Sequence, residues 1–173
     1  MRFTISSTAL SSRLLSLSRV INSKNTLPIL ECFLFEVHDG QLTITASDSE
    51  NVMQTTLNLE GSEGEGTFAV NNHTILDAVK ELPEQPLNVD VNLGEFKIYI
   101  TYQNGSYNFP ILNAEEYPKT QPIASDATSI TIGSGILADN ITRSIFATAQ
   151  DELRPVMNGI FFDLTTDWLA IVA

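Results

Sequence analysis

The strongest constraint on the fold of this chain is an internal repeat that aligns two distant stretches without a gap. The stretch around Thr4 matches the stretch around Thr131 at an offset of 127 residues. The matched pairs are Thr4 and Thr131, Ile5 and Ile132, Ser7 and Ser134, Leu10 and Leu137, Pro28 and Pro155, Phe35 and Phe162, Leu42 and Leu169, Ile44 and Ile171, and Ala46 and Ala173. This agreement indicates a structural unit used more than once, whose copies bury their apolar faces against each other.

The hydrophobic pattern of the first copy predicts a strand, a helix and three further strands. Leu10, Leu14, Leu17 and Ile21 recur at helical spacing and predict the buried face of the helix. The glycine-rich, acidic stretch "EGSEGEG" is predicted as an exposed loop. The predicted elements are a strand over 2–6, a helix over 7–22, and strands over 29–37, 41–46 and 51–59.

The same order of elements then restarts twice, with helices that begin near positions 8, 72 and 135. Two βαβββ copies are expected to pair into one α+β domain, with two helices side by side on antiparallel sheets. The second copy is predicted as a strand over 67–70, a helix up to residue 82 and strands over 87–93, 96–102 and 106–111. The third is predicted as a strand over 128–133, a helix over 136–148 and strands over 155–164 and 168–173.

These copies divide the chain into a first domain over 1–120, a linker over 121–127 and a truncated domain over 128–173. The third copy lacks its last strand, and the chain stops in the apolar stretch "AIVA". We therefore expect a fragment of a longer protein, because natural termini are usually polar. An unfinished sheet exposes an unpaired edge, which predicts self-association.

Charge is distributed unevenly along the chain. The net charge of −12 excludes a protein that coats nucleic acid with basic surface. Residues 1–30 nevertheless carry four basic side chains and no acidic one, whereas the remaining 143 residues carry five basic and 21 acidic side chains. This asymmetry predicts one local surface for an anion on an otherwise acidic body.

The sequence gives little support to an enzyme. It contains no phosphate-binding loop, no GxGxxG motif and no Cys/His metal cluster, so no cofactor and no metal are predicted. Cys32 lies between Glu31 and Phe33 in a predicted strand and is expected to pack as a small apolar residue. His38 lies in a turn and has no sequence neighbour that indicates a metal site. A lone cysteine, with no signal peptide and no membrane-spanning stretch, indicates the cytoplasm.

Several stretches resemble the bacterial sliding clamp family, the beta subunit of DNA polymerase III. They are "MRFTIS", "NTLPILECFLFEV", "LTITASDSE", "FAVNNHTILDAVKELP", "FPILNAEEYP" and "DELRPVMNGIFFDL". The resemblance implies the DNA-clamp fold and a ring-shaped homodimer of three-domain protomers, with helices that line a hole around double-stranded DNA. Residues 128–173 would then be the N-terminal half of the second domain. The implied function is a non-catalytic sliding clamp that tethers the replicative polymerase.

The resemblance also implies which residues contact DNA. Lys24 follows the first helix, His73 begins the second, and Gln150 follows the third; neutral His73 replaces the basic residue usual in the family. Further candidates are the neighbouring Pro155 and Val156, and the helix residues Arg13, Arg19, Lys80 and Arg143. By spacing alone, those four basic residues are ordinary solvated side chains.

Two further sites follow from the resemblance. Arg154 and Met157 match one wall of a peptide pocket that binds polymerase, clamp loader and repair proteins, and the rest of this wall would follow Ala173. Tyr107 and Phe109 lie on the strand that closes the ring. Two alternatives remain: a protein-interaction domain that pairs through an open sheet edge, and a small α+β enzyme that uses Cys32 or a carboxylate pair.

Overall fold

A computed structural model describes residues 1–21, 27–48, 50–118, 124–151 and 153–173. The predicted DNA contact Lys24 lies outside these residues. The chain forms two compact units, unit 1 over 1–121 and unit 2 over 122–173. Within the described ranges, none of the helices has the length and apolar content that a bilayer crossing requires.

Unit 1 contains the two predicted βαβββ copies and one additional strand. Its helices are α1 (Ser7–Leu17) and α2 (Asn72–Val79). Its strands are β1 (Arg2–Ser6), β2 (Cys32–His38), β3 (Gln41–Ser47), β4 (Val52–Asn58), β5 (Gly61–Glu63), β6 (Gly66–Asn71), β7 (Pro86–Asn92), β8 (Lys97–Tyr102) and β9 (Gly105–Pro110).

The two copies exchange their first strands. One antiparallel sheet has the order β5-β1-β7-β8-β9, so β1 of the first copy lies beside three strands of the second. The other has the order β4-β3-β2-β6, so β6 of the second copy completes the sheet of the first. Each copy therefore needs the other to complete its sheet.

Equivalent polar residues join the copies where each first strand passes into its helix. Ser6 and Asn71 cap α1 and α2, because their side chains accept hydrogen bonds from the backbone N–H groups of residues 9 and 74. The next residues are buried and reach across to the other copy. The Ser7 hydroxyl donates to the Pro83 carbonyl at 2.8 Å, and the Asn72 side-chain amide donates to the Glu31 carbonyl at 2.7 Å.

The larger of two hydrophobic clusters joins both sheets to both helices. On α1, the predicted face of Leu10, Leu14 and Leu17 is fully buried, and Ile21 packs partly buried against it. Ile75 and Val79 provide the buried face of α2, which packs against α1. The basic side chains of these helices are consequently left on the exposed side.

The structure corrects four predictions for unit 1. Helix α1 ends at Leu17 rather than near residue 22, and a turn follows it. Helix α2 ends at Val79 rather than at residue 82. Pro28–Glu31 forms a 3₁₀ turn, since proline lacks the N–H that a strand ladder needs, and the strand starts at Cys32. The stretch predicted as a loop contains β5, whose backbone pairs with the free side of β1.

Unit 2 contains α3 (Ser134–Ser144) and the hairpin of β10 (Phe161–Leu164) and β11 (Leu169–Val172). The strand predicted over 128–133 is absent from this described stretch. No strand among the described residues pairs with this segment. Pro155–Asn158 forms a 3₁₀ turn rather than the start of the predicted strand, as in unit 1.

Candidate nucleic-acid interface

The exposed side of α1 and the turn after it carry positive charge that has no acidic partner in the described part of the chain. Arg13 and Arg19 are exposed, and neither forms an ion pair with any residue that the structure describes. Ser12 and Ser16 lie on the same side, and their hydroxyls donate to the helix carbonyls of Ala9 and Ser12 at 3.0 Å. This surface therefore combines two cations that are unpaired within the described ranges with short, uncharged side chains whose hydroxyl hydrogens already form hydrogen bonds.

The exposed side of α2 is closer to neutral. His73 is the second residue of the helix and is exposed. The Lys80 ammonium lies 2.7 Å from Oδ1 of Asp77 one turn earlier. This hydrogen bond and the charge attraction raise the pKa of Lys80 and lower the pKa of Asp77. Lys80 thus offers less free charge than its sequence position indicates.

A carboxylate lies at the N-terminus of α1, a contact between residues far apart in sequence. Ser6 donates a hydrogen bond of 3.1 Å to Oε2 of Glu84, and Thr8 donates to the same oxygen. The Thr8 hydrogen bond, the larger effect, and that of Ser6 lower the pKa of Glu84. The positive end of the helix dipole stabilises a negative charge at this position. The Glu84 carboxylate also repels phosphate. The rest of the exposed side of α1 is therefore the more favourable surface for a phosphate group.

Most of the acidic residues of unit 1 lie outside its helical segments. Unit 1 has fifteen acidic residues, and Asp77 and Glu81 are the two within 7–21 and 72–82. The others lie on strands, turns and loops. The acidic side chains of unit 1 are therefore concentrated away from its two helices.

The predicted contacts in unit 2 lie on α3 and on the chain that follows it. Arg143 is exposed in the last turn of α3, and Gln150 is exposed in the next connection. Asp151 and Asn158 brace this connection, because the Asp151 N–H donates to Oδ1 of Asn158 at 2.9 Å and the Asn158 amide donates back to the Asp151 carbonyl at 3.2 Å. Gln150 therefore lies next to a hydrogen-bonded turn and not on a helix or a strand.

The predicted pocket residues are exposed in the same segment. Nε of Arg154 lies 2.8 Å from Oδ2 of Asp151, and this hydrogen bond is the main reason for the lowered pKa of Asp151. Pro155, Val156 and Met157 lie on the exposed 3₁₀ turn that follows. Arg154 is thus held by its own acidic partner beside exposed apolar side chains.

The edge predicted to close a ring is the outer strand of the five-stranded sheet. Tyr107 and Phe109 point to the same side of β9 and are half-buried. Their ring centroids are 6.1 Å apart, and Tyr107 stacks on Tyr102 of the neighbouring strand at 5.2 Å. Among the described residues, β9 pairs only with β8, so its other edge offers a backbone ladder beside an aromatic stack.

Cys32 and His38, the two side chains considered as catalytic or metal-binding groups, have structural roles. Cys32 is buried, and burial, assisted by the charge of Glu31, raises its pKa to about 11, so the thiol is unreactive at neutral pH. His38 does have acidic partners: its Nδ1 lies 2.8 Å from Glu65 and its Nε2 lies 3.2 Å from Asp39. The ligand atoms of these three exposed residues lie within 4.8 Å of one another, and ion pairing explains the arrangement without a metal.

Unit 1 therefore places Arg13 and His73 on two packed helices, with Arg19 and Lys80 directly after the C-terminal ends of these helices. The remaining described candidates for DNA contact lie in unit 2. Sequence reasoning missed the role of Glu84 at the helix N-terminus. It also missed that Asp77 neutralises Lys80, although their spacing of three residues on a helix signals such a pair.

The fold of unit 1 is that of a DNA clamp, an α+β domain with two strand-exchanged βαβββ copies, as the sequence predicts. The crystal structure of the DNA polymerase III subunit beta from Pseudomonas aeruginosa matches this chain with a TM-score of 0.89 and 26% identity, over 98% of this chain and 45% of that one. The subunit from Thermotoga maritima matches with a TM-score of 0.85 and 28% identity, over 97% and 45%.

The family follows from the sequence comparison. The model of the DNA polymerase III beta subunit, N-terminal domain, matches residues 1–121, and the chain belongs to this family. The beta sliding clamp of Buchnera aphidicola subsp. Rhopalosiphum padi is 25% identical over 173 residues, which are 100% of this chain and 47% of that protein. The chain thus spans about half the length of the curated relatives it matches.

Proposed function

We propose that this chain is part of a DNA sliding clamp, a ring that encircles double-stranded DNA and tethers the replicative polymerase. Unit 1 would be the first clamp domain and unit 2 the N-terminal half of the second. The observation that carries the proposal is the clamp fold of unit 1 combined with Arg13 on α1 and Arg19 in the turn after it, neither of which has an acidic partner among the described residues. The protein would act without an active site, in the cytoplasm where bacterial DNA is replicated.

Topology explains why so few basic residues suffice. A closed ring stays on DNA because the duplex cannot escape, so its inner surface needs no tight or base-specific contact. Each phosphate contact adds affinity that resists sliding. Two free arginines among short serine side chains give a weak, sequence-independent attraction, and acidic sheets discourage DNA from binding elsewhere.

The remaining contacts have distinct roles in this proposal. Lys24 would bind phosphate as a full charge, and Gln150 would donate an uncharged hydrogen bond. His73 would contribute charge only when it is protonated. Lys80 and Arg143 would add to the field of the helices, with Lys80 weakened by Asp77. Pro155 and Val156, which have no charged or hydrogen-bonding side chain, would contribute only van der Waals contacts with the duplex.

Ring closure and partner binding would use two separate surfaces. The open β9 edge, with Tyr107 and Phe109, would pair with another protomer in a homodimeric ring. Arg154 and Met157 would form part of a pocket for short peptides of polymerase, clamp loader and repair proteins, with further walls supplied by residues that follow in the relatives' longer chains.

Matched charge reversals test the proposed DNA-facing surface. Residues 1–173 would replace the matching part of the Pseudomonas aeruginosa clamp, and Arg13→Glu and Lys24→Glu would be compared with Lys97→Glu on an exposed sheet position. The first two changes are expected to weaken DNA binding by roughly tenfold and to reduce its salt slope by about 1 per lost phosphate contact. An equal loss with Lys97→Glu would refute the assignment of the helical face.

A further inference from the structure

Asp77 is an acidic residue on a surface of unit 1 where acidic residues are scarce. It is exposed in the last turn of α2, and it is one of two acidic residues within 7–21 and 72–82. The negative end of the helix dipole lies at this end of α2, so a carboxylate here does not stabilise the helix. The position of Asp77 therefore calls for an explanation other than the stability of α2.

Two candidate DNA contacts flank Asp77 along α2. His73 lies four residues before it and Lys80 three residues after it, spacings that bring side chains together on a helix. The Lys80 ammonium lies 2.7 Å from Oδ1 of Asp77, and the two side chains are 48% and 64% exposed. The hydrogen bond and the charge of Lys80 are the main causes of the lowered pKa of Asp77, and His73 adds a smaller attraction. Asp77 thus interacts with both candidate contacts of this helix.

Helix α1 has no carboxylate at the equivalent position. Ser7 and Asn72 begin the two helices, so Asp77, the sixth residue of α2, corresponds to Ser12, the sixth residue of α1. Arg13, next to Ser12, is exposed and has no acidic partner in the described ranges. The two packed helices therefore differ, because the cation of α2 has a carboxylate beside it and the cation of α1 does not.

We propose that Asp77 limits the affinity of α2 for DNA by competing with backbone phosphates for Lys80, so that each phosphate contact of Lys80 forms weakly and breaks easily. This inference rests on the proposed clamp function. A phosphate that binds Lys80 displaces the Asp77 carboxylate and also approaches its negative charge. Each contact consequently adds less affinity than a lysine without an acidic neighbour would give.

The exposure of the pair determines the size of this effect. Exposed ion pairs are weak, because water screens them and because both side chains lose freedom, so the pair weakens a competing phosphate contact by roughly two- to fivefold. Asp77 therefore lowers the affinity of Lys80 for phosphate without abolishing it. During sliding, the ammonium passes from one phosphate to the carboxylate and then to the next phosphate, which avoids a state in which it has no partner.

Removal of the carboxylate tests this role in a chimaera that carries residues 1–173 in the Pseudomonas aeruginosa clamp. Asp77→Asn removes the charge and nearly preserves the shape of the side chain. We expect it to tighten equilibrium binding to duplex DNA by roughly two- to fivefold and to steepen the salt slope by up to about 1, since Lys80 gains a full phosphate contact. The diffusion coefficient of the loaded ring along DNA should fall. Asp77→Ser, which copies the residue of α1, should give the same result.

Asp90→Asn is the matched control. Oδ2 of Asp90 lies 2.8 Å from Nε of Arg2, so this residue also forms an exposed ion pair, but on the five-stranded sheet. The substitution changes the net charge by the same amount and should leave DNA binding and diffusion unchanged. An equal gain in affinity with Asp90→Asn would overturn the proposal, because the effect would then come from net charge alone.

A double-mutant cycle shows whether Asp77 acts through Lys80. In a Lys80→Gln background, Asp77→Asn should give a clearly smaller gain in affinity, because there is no ammonium left to release. Equal gains in the two backgrounds would contradict the competition between Asp77 and phosphate.

Arg13→Gln separates a failure of this inference from a failure of the proposed function. If Arg13→Gln weakens DNA binding while Asp77→Asn changes neither binding nor diffusion, the role of Asp77 is refuted and the clamp function stands. If neither substitution changes DNA binding, the helical face of unit 1 is not the DNA-facing surface, and both proposals fail.

Discussion

Replacing Ser7 by alanine tests whether the two copies of unit 1 are joined through the buried start of α1. The Ser7 side chain is fully buried, donates to the Pro83 carbonyl at 2.8 Å and accepts from the Gln85 N–H at 3.0 Å. Alanine removes both contacts and leaves the N–H of Gln85 without its side-chain partner in a buried environment.

The expected loss of unfolding free energy is about 2 kcal/mol. A lost hydrogen bond contributes about 1 kcal/mol, and an unsatisfied buried donor costs about 1–3 kcal/mol. The higher helix propensity of alanine returns roughly 0.5 kcal/mol. For a urea dependence of roughly 2 kcal/mol per molar, the unfolding midpoint falls by about 1 M.

Two spectroscopic probes separate the units in this experiment. Far-ultraviolet circular dichroism reports mainly on unit 1, which holds most of the strands, whereas the single tryptophan, Trp168, lies in unit 2. Ser7→Ala should shift the circular dichroism transition and leave the tryptophan transition in place. Ser12→Ala is the matched control, because its exposed hydroxyl bonds only to its own helix and its effect should stay within about 0.5 kcal/mol. Equal behaviour of the two variants would refute the role of Ser7.

Two further predictions concern titratable groups. The hydrogen bond that His38 donates to Glu65, followed by the charge of Asp39, raises the pKa of His38 above 6.5. This contact therefore stabilises the fold below pH 6.5 and is lost as pH rises through the folded pKa. An NMR titration should show that Glu65→Gln lowers the pKa of His38; an unchanged value would contradict the contact. Cys32, with a pKa of about 11 against an ordinary 9.0, should react with a thiol reagent at pH 8 about a hundredfold more slowly in the folded chain than in urea. Equal rates would contradict its burial.

The elements that depend on local apolar pattern were predictable from sequence. The Leu10, Leu14 and Leu17 face is buried as expected, and the repeat correctly indicated that two copies pair. The predicted end of α1 was wrong because Ile21 continues the apolar pattern beyond the helix and still packs against the core. Strand β5 escaped prediction because it pairs through its backbone and needs no apolar side chains.

Elements that depend on partners distant in sequence were harder to predict from the sequence. The segment 128–133 has apolar residues at the same positions as β1 but forms no strand, because a strand requires a neighbour as well as a pattern. At the candidate interface, the contact of Glu84 with Ser6 and Thr8 joins residues more than seventy positions apart. The pair of Lys80 and Asp77 is local, by contrast, and helical spacing alone could have identified it.

Topological retention on DNA tests the central claim most directly. The chimaera of residues 1–173 in the Pseudomonas aeruginosa clamp would be loaded onto nicked circular DNA by that organism's clamp loader, and half of the sample would then be linearised. The account predicts that the protein stays on the circles and slides off the linear molecules. Equal release from both forms, with the chimaera folded and dimeric, would contradict a role for this chain in a DNA-encircling ring.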